Sequence, residues 1–163
     1  VIDSDVYESD HSNEAEVIPI NEGEAIIYNH RIASKTDDGI KFNSDETVNL
    51  IDAPDILSTN WGGDFVFELQ NINGVIKPCI VIKSNQTYIQ DLGYRDNINE
   101  IDNIPVSGYL SPDVIMPVSP SHLYILYKPE FSNFKYIRIY ILSAPDNPTT
   151  EFSDVSLKIE WAY

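Results

Sequence analysis

The chain has 163 residues, of which 42% are hydrophobic, enough for one sizeable core but too few for two. Its formal net charge of −16 and sequence pI near 4.2 oppose a phosphate backbone and an anionic membrane surface alike, and no stripe of Lys or Arg offsets that field locally. Nucleic acid is thereby excluded as a partner, and the apolar content excludes disorder throughout.

The first stretch, 1–16, reads as a flexible acidic linker. It holds Asp3, Asp5, Glu8, Asp10, Glu14 and Glu16, and no Lys or Arg occurs before Arg31. Because the sequence starts at Val1 without an initiator methionine, a removed leader is expected, and with it an extracellular or cell-surface location; an excerpted domain would look the same. A lipid-anchor cysteine just before Val1 would supply the one expected route to a membrane. No hydrophobic run approaches the roughly 20 residues that a spanning helix requires.

From Val17 onward short alternating segments are separated by turn residues, which predicts a single β domain over 17–163. Glu24–Ala33 is the first expected strand, with Ile26, Tyr28, His30 and Ile32 on one face and Ala25, Ile27, Asn29 and Arg31 on the other. Thr47–Asp52 fits either a strand or a short helix capped by Ser44 and ended by Pro54. Asp64–Ile72 alternates with Phe65, Phe67 and Leu69 inward, and Glu68 and Gln70 outward. Asn73-Gly74 then predicts a type I′ hairpin turn, since both positions need positive φ. Val75–Lys83 returns as the partner strand, and Pro78 within it suggests an edge or a bulge.

Thr87–Leu92 reads as a further strand and Gly93–Asn103 as a polar loop in which Ile98 and Ile101 could anchor one helical turn. Four prolines between Ile104 and Pro120 predict short or irregular strands there. Leu123–Lys128 and Phe134–Leu142, around Pro129–Asn133, predict a second hairpin. Val155, Leu157, Ile159 and Trp161 alternate against Ser156, Lys158, Glu160 and Ala162, which places Trp161 in the core. Eight to ten short strands with one dry and one wet face predict an all-β antiparallel β-sandwich rather than a closed barrel.

Candidate chemistry is sparse. The single cysteine, Cys79, lies in the apolar run Cys79-Ile80-Val81-Ile82 and reads as a buried thiol, not a nucleophile. No HExxH, GxSxG, P-loop or dinucleotide-binding glycine pattern occurs, so no catalytic residue is assigned. His30 and His122 fall on separate predicted strands beside Tyr28 and Tyr124; if those strands paired, both imidazoles would converge on a metal or haem iron, the alternative being two ordinary strand histidines. Asp96, Asn99 and Asp102 belong to a loop that could offer several oxygens to calcium, although its spacing is not that of an EF-hand and a solvated loop is the simpler reading. Trp61, followed by Gly62-Gly63, is either a plug over the sandwich end or an exposed sugar-stacking platform. Tyr94 and Tyr109 join it as candidate ligand-contacting aromatics, being among the tyrosines that enrich the second half of the chain.

Leu123-Tyr124-Ile125-Leu126-Tyr127, Phe134-Lys135-Tyr136-Ile137-Arg138-Ile139 and Val155 to Tyr163 resemble the closing strands of HmuY-type haemophore lipoproteins. Trp61 to Phe65 followed by Asn73-Gly74 resembles an earlier part of that family's pattern. The resemblance covers less than half of the chain, and discoidin-like carbohydrate-binding sandwiches have similar closing strands. It implies an all-β, surface-anchored lipoprotein that binds haem through side chains, with no residue of this chain assigned as a ligand. The expected function is accordingly non-catalytic: recognition of an extracellular small molecule, glycan or protein. Haem or carbohydrate binding and a hydrolase accessory domain stand as alternatives, and no cofactor is expected beyond the calcium or haem alternatives.

Overall fold

The computed structural model describes residues 21–101, 103–110, 113–132 and 135–163; the predicted linker over 1–16 and the candidate ligand Asp102 lie outside them. Ten strands follow one another: β1 (Glu22–Tyr28), β2 (Gly39–Phe42), β3 (Val48–Ile51), β4 (Phe65–Ile72), β5 (Val75–Ile82), β6 (Tyr88–Tyr94), β7 (Val114–Pro117), β8 (His122–Tyr127), β9 (Tyr136–Ser143) and β10 (Ser156–Ala162). They form two five-stranded antiparallel sheets, ordered β1-β10-β9-β8-β6 and β3-β2-β4-β5-β7. Among the described residues there is no helix, and the ambiguous Thr47–Asp52 segment forms a strand.

The alternation read from the sequence decides which side chains meet between the sheets. Ile27, Ile89, Tyr124, Leu126, Ile137, Ile139, Ile141, Leu157 and Ile159 enter from the first sheet. Ile40, Phe42, Phe65, Phe67, Leu69, Ile80 and Ile82 enter from the second. Each is fully buried, and burying a side chain of this size contributes roughly 1.5–3 kcal/mol. Trp161 joins the rim of this core, edge-on to Phe42 with ring centroids 6.2 Å apart.

Asn73 (φ 55°) and Gly74 (φ 85°) make the predicted tight turn, with Ile72 paired to Val75 across it. Pro78 does not mark an edge or a bulge. β5 is flanked by β4 and β7, and its register with β4 is unbroken. The missing N–H falls one residue past the end of the β7 ladder, where the Pro78 carbonyl still accepts the Val118 N–H (2.9 Å). Pro117 takes the edge role instead, because the alternation that turns Val118 toward β5 turns Pro117 away from it.

β1 stops at Tyr28, short of the predicted Ala33. Beyond it the chain leaves one sheet for the other: Asn29 N–H donates to the Val155 carbonyl (3.1 Å) and His30 N–H to the Phe67 carbonyl (2.9 Å). The fully buried Asn29 side chain holds this crossing, donating to the Glu151 and Ser153 carbonyls and accepting from the Arg31 and Leu69 amides. The opposite corner is bridged in the same manner: Leu110 exchanges hydrogen bonds with Ile89 of β6, and four residues later the chain is β7 of the other sheet.

Both outer faces carry a covering segment. Residues 52–63 fold over the second sheet, where Ala53, Leu57 and Trp61 pack on Val66, Cys79, Val81 and Ile72. Residues 95–101 and 103–110 fold over the first, where Ile98 and Ile101 pack on Leu123, Tyr140, Leu142 and Ala162. Glu68 is therefore not wet, as outward alternation predicts; it is 8% exposed, with the Arg31 guanidinium 3.4 Å away.

Candidate functional site

Four connections converge at one end of the sandwich. The turn after β2 brings Asn43 and Ser44; the segment before β4 brings Thr59, Asn60, Gly62 and Gly63; the β5–β6 loop brings Ser84, Asn85 and Gln86; the β8–β9 turn brings Glu130 and Phe131. Between them lies a cleft of about 480 Å³. Loops at the end of a rigid sandwich are a common place for recognition, since the strands fix their bases while their tips vary freely.

The floor is charged and nearly closed to water. Tyr124, Leu126 and Lys128 fall in the same inward phase, so the lysine is driven into the core end, where its side chain is 6% exposed. Its ammonium lies 2.8 Å from Asp64 Oδ1 and 3.0 Å from Oδ2, donates to the Phe42 carbonyl at 2.8 Å and sits 4.4 Å from the Phe131 ring centroid. Asp64 also accepts the Phe42 N–H at Oδ2 (2.7 Å) and the Thr87 hydroxyl at Oδ1 (2.7 Å). Every polar atom of the buried pair has a partner, which is the condition for burying charge at tolerable cost. Tyr163 braces the neighbouring turn through its hydroxyl, which donates to the Asn43 and Thr47 carbonyls (2.9 and 3.2 Å).

Above that floor the lining is amide and hydroxyl. Asn60, Asn85 and Gln86 are exposed, and Asn85 Nδ2 reaches Asn60 Oδ1 across the cleft wall at 3.4 Å. Two cations, Lys41 and Lys128, face two anions, Asp64 and Glu130, so this cleft is balanced within a chain that is strongly negative. Such a surface offers paired donors and acceptors without net charge.

A second cavity, of about 390 Å³, is lined by His30, Arg31, Ala33, Asp55, Glu68 and Phe152. His30 Nδ1 and Asp38 Oδ2 are 2.7 Å apart, and Asp38 Oδ1 accepts the Ala53 N–H at 2.7 Å. This carboxylate thus ties the start of β2 to the segment that covers the sheet.

The residues singled out from sequence are scattered. His30 follows β1 and His122 opens β8; these strands do not pair, since β10 and β9 stand between them. At about 4.8 Å per strand spacing the imidazoles do not converge, and His122 is held separately by Asp91 at 3.2 Å. Asn99 Oδ1 accepts from the Arg138 guanidinium (2.8 Å), and Asp96 accepts from the Tyr94 hydroxyl (3.2 Å). The Tyr140 hydroxyl donates to the Arg95 and Asp96 carbonyls (3.0 and 3.3 Å). The loop is thus pinned onto the sheet by its own polar groups. Among the described residues no three of His, Cys, Asp and Glu are grouped to hold a metal ion.

Trp61 covers the outer face of the second sheet rather than the sandwich end. Its ring lies against the backbone of Gly39 and Gly63, so close that a Cβ on Gly63 would stand 2.2 Å from the indole. The glycine beside it therefore seats the ring, and its neighbours Asn60 and Gly62 line the cleft. Among the described residues its buried Nε1–H has no partner. Tyr109 packs on Tyr127 and Tyr136 (centroids 5.5 and 6.2 Å away) and donates to the Pro105 carbonyl (3.1 Å); burial, and then those two phenols, push it up to about 12. Tyr94 is 65% exposed, and its hydrogen bond to Asp96 raises its phenol. Burial pushes the Cys79 thiol up to about 12, with Glu68 adding to the effect, so the thiolate needed for nucleophilic or metal chemistry is suppressed at neutral pH.

Sequence reasoning missed the cleft. Its one legible signal was a lysine in the inward phase of β8, a buried cation in need of a partner. The fold and this site define a β-sandwich with a polar, charge-balanced cleft at one end. No family model, curated protein or solved structure matches the chain.

Proposed function

We propose that this chain is a non-catalytic recognition domain whose terminal cleft takes a neutral, polyhydroxylated ligand, a carbohydrate. The observation that carries this reading is the lining: exposed amides and hydroxyls from four loops around a charge-balanced floor. A sugar hydroxyl both donates and accepts, as do Asn60, Asn85, Gln86 and Ser84. An anion would meet the repulsion of a chain at −16, and an apolar ligand would strip water from these amides without replacing their hydrogen bonds.

The test is a glycan array followed by titration calorimetry on the best glycan. Asn85→Ala and Gln86→Ala should each weaken binding about tenfold, the loss of one to two net hydrogen bonds. Affinity unchanged in both variants, or a folded protein that retains no glycan, would refute the assignment.

A further inference from the structure

The buried lysine and aspartate at the base of the cleft carry a second inference, independent of what the cleft binds. We propose that Lys128 and Asp64 become joined by an intramolecular isopeptide bond, between Nζ of the one and Cγ of the other. They sit on different sheets, Lys128 directly after β8 and Asp64 directly before β4, with 6% and 3% of their side chains exposed. The nucleophile and both carboxyl oxygens are already in contact, at 2.8 and 3.0 Å. Holding two reacting groups in this way replaces a bimolecular encounter by an effective concentration that reaches about 10⁵–10⁸ M in well-aligned cases. Burial of both side chains shields the resulting amide from attacking water, so the cross-link, once formed, is slow to hydrolyse.

The surroundings supply the remaining parts. A low-dielectric site disfavours both charges, so transfer of one proton from the ammonium to the carboxylate leaves a neutral amine facing a neutral acid. The Phe42 N–H holds Oδ2 at 2.7 Å and stabilises the negative charge that grows there when Nζ attacks Cγ. The Thr87 hydroxyl holds Oδ1 at 2.7 Å, the oxygen that leaves. Glu130, 3.7 Å from Nζ and 29% exposed, relays a proton from the attacking nitrogen to that oxygen. The Nζ–Cγ bond forms, the Cγ–Oδ1 bond breaks, and two of the three ammonium protons depart with Oδ1 as one water. The third stays on the amide nitrogen, so no oxidant, reductant or external co-reactant enters.

Intact-mass spectrometry of the purified full chain decides the matter. The folded protein should be lighter than its sequence by one water, and proteolysis should yield a branched peptide containing both residues. Lys128→Arg, which keeps the charge and the contact with Asp64, should have the full mass of its own sequence. A wild-type chain at full sequence mass overturns the proposal, and so does a water loss that persists in Lys128→Arg. Glu130→Gln should slow cross-linking by roughly 10²-fold or more; an unchanged rate overturns the relay. Glycan binding is read separately, so either proposal can fail without the other.

Discussion

Two buried aspartates hold this sandwich together, and they do so under different terms. Asp64, at the cleft end, accepts from a backbone amide and a threonine hydroxyl and faces a lysine that is itself buried. Asp38, beside the second cavity, accepts from a backbone amide and faces an imidazole. Each carboxylate links segments distant in the sequence. The lysine brings a flexible ammonium with three donors, whereas the histidine brings a planar ring that meets the carboxylate through one nitrogen. Loss of the acid therefore strands an ammonium at one place and an imidazole ring and an amide at the other.

Removing each acid in turn measures that difference. Asp64→Ala removes the acid, and with it the proposed cross-link, and leaves the Lys128 ammonium buried beside the Phe42 carbonyl; the expected loss is at least about 3–5 kcal/mol in urea unfolding. Asp38→Ala leaves the Ala53 N–H and the His30 ring unsatisfied, with an expected loss of about 1–3 kcal/mol. Equal losses would show that the partner's identity is irrelevant. Gly63→Ala leaves both acids in place and forces the Trp61 ring off its seat. It should cost about 1–2 kcal/mol and shift the tryptophan fluorescence, and an unshifted spectrum would contradict the packing.

The smallest expected effect concerns an acid without such support. Desolvation, and then Glu22 and Glu24, hold the Glu160 carboxyl above its ordinary value. A carboxyl raised in the folded state favours folding fully below its unfolded value, and that contribution disappears as pH rises through the folded one. Glu160→Gln should thus stabilise the protein at pH 7 by a few tenths of a kcal/mol. The gain should vanish as the pH falls through the carboxylate range in thermal melts, and a gain that persists in acid would contradict the electrostatic cause.

Much of the architecture was legible because alternation is a local signal. The Asn73-Gly74 turn, the β8–β9 hairpin and the inward faces of β4 and β10 each follow from residues within a few positions of one another. The covering segments were not legible. Period-two patterning says which residues share a face, but not that a distant loop will lie on the outer one, so Glu68 reads as wet and Ile98 as the anchor of one helical turn, where the structure has a non-helical segment packed on the sheet. The site was less legible still: Lys128 and Asp64 stand 64 positions apart, and among the loop oxygens that suggested a cation, Asn99 Oδ1 accepts from Arg138 and Asp96 Oδ1 from Tyr94. Polar residues grouped in sequence do not reveal whether they already have partners.

The pairing of β1 with β10 sets the order of events during synthesis. Glu22 meets Ala162 and Tyr28 meets Ser156, so the first described strand of its sheet pairs with the strand that comes last in order among those described and must wait for it to emerge. Closing so long a loop is slow relative to a hairpin. Until translation passes Ala162 the apolar face of β1 has no ladder to hold it, and a nascent chain paused earlier stays open to chaperones and proteases.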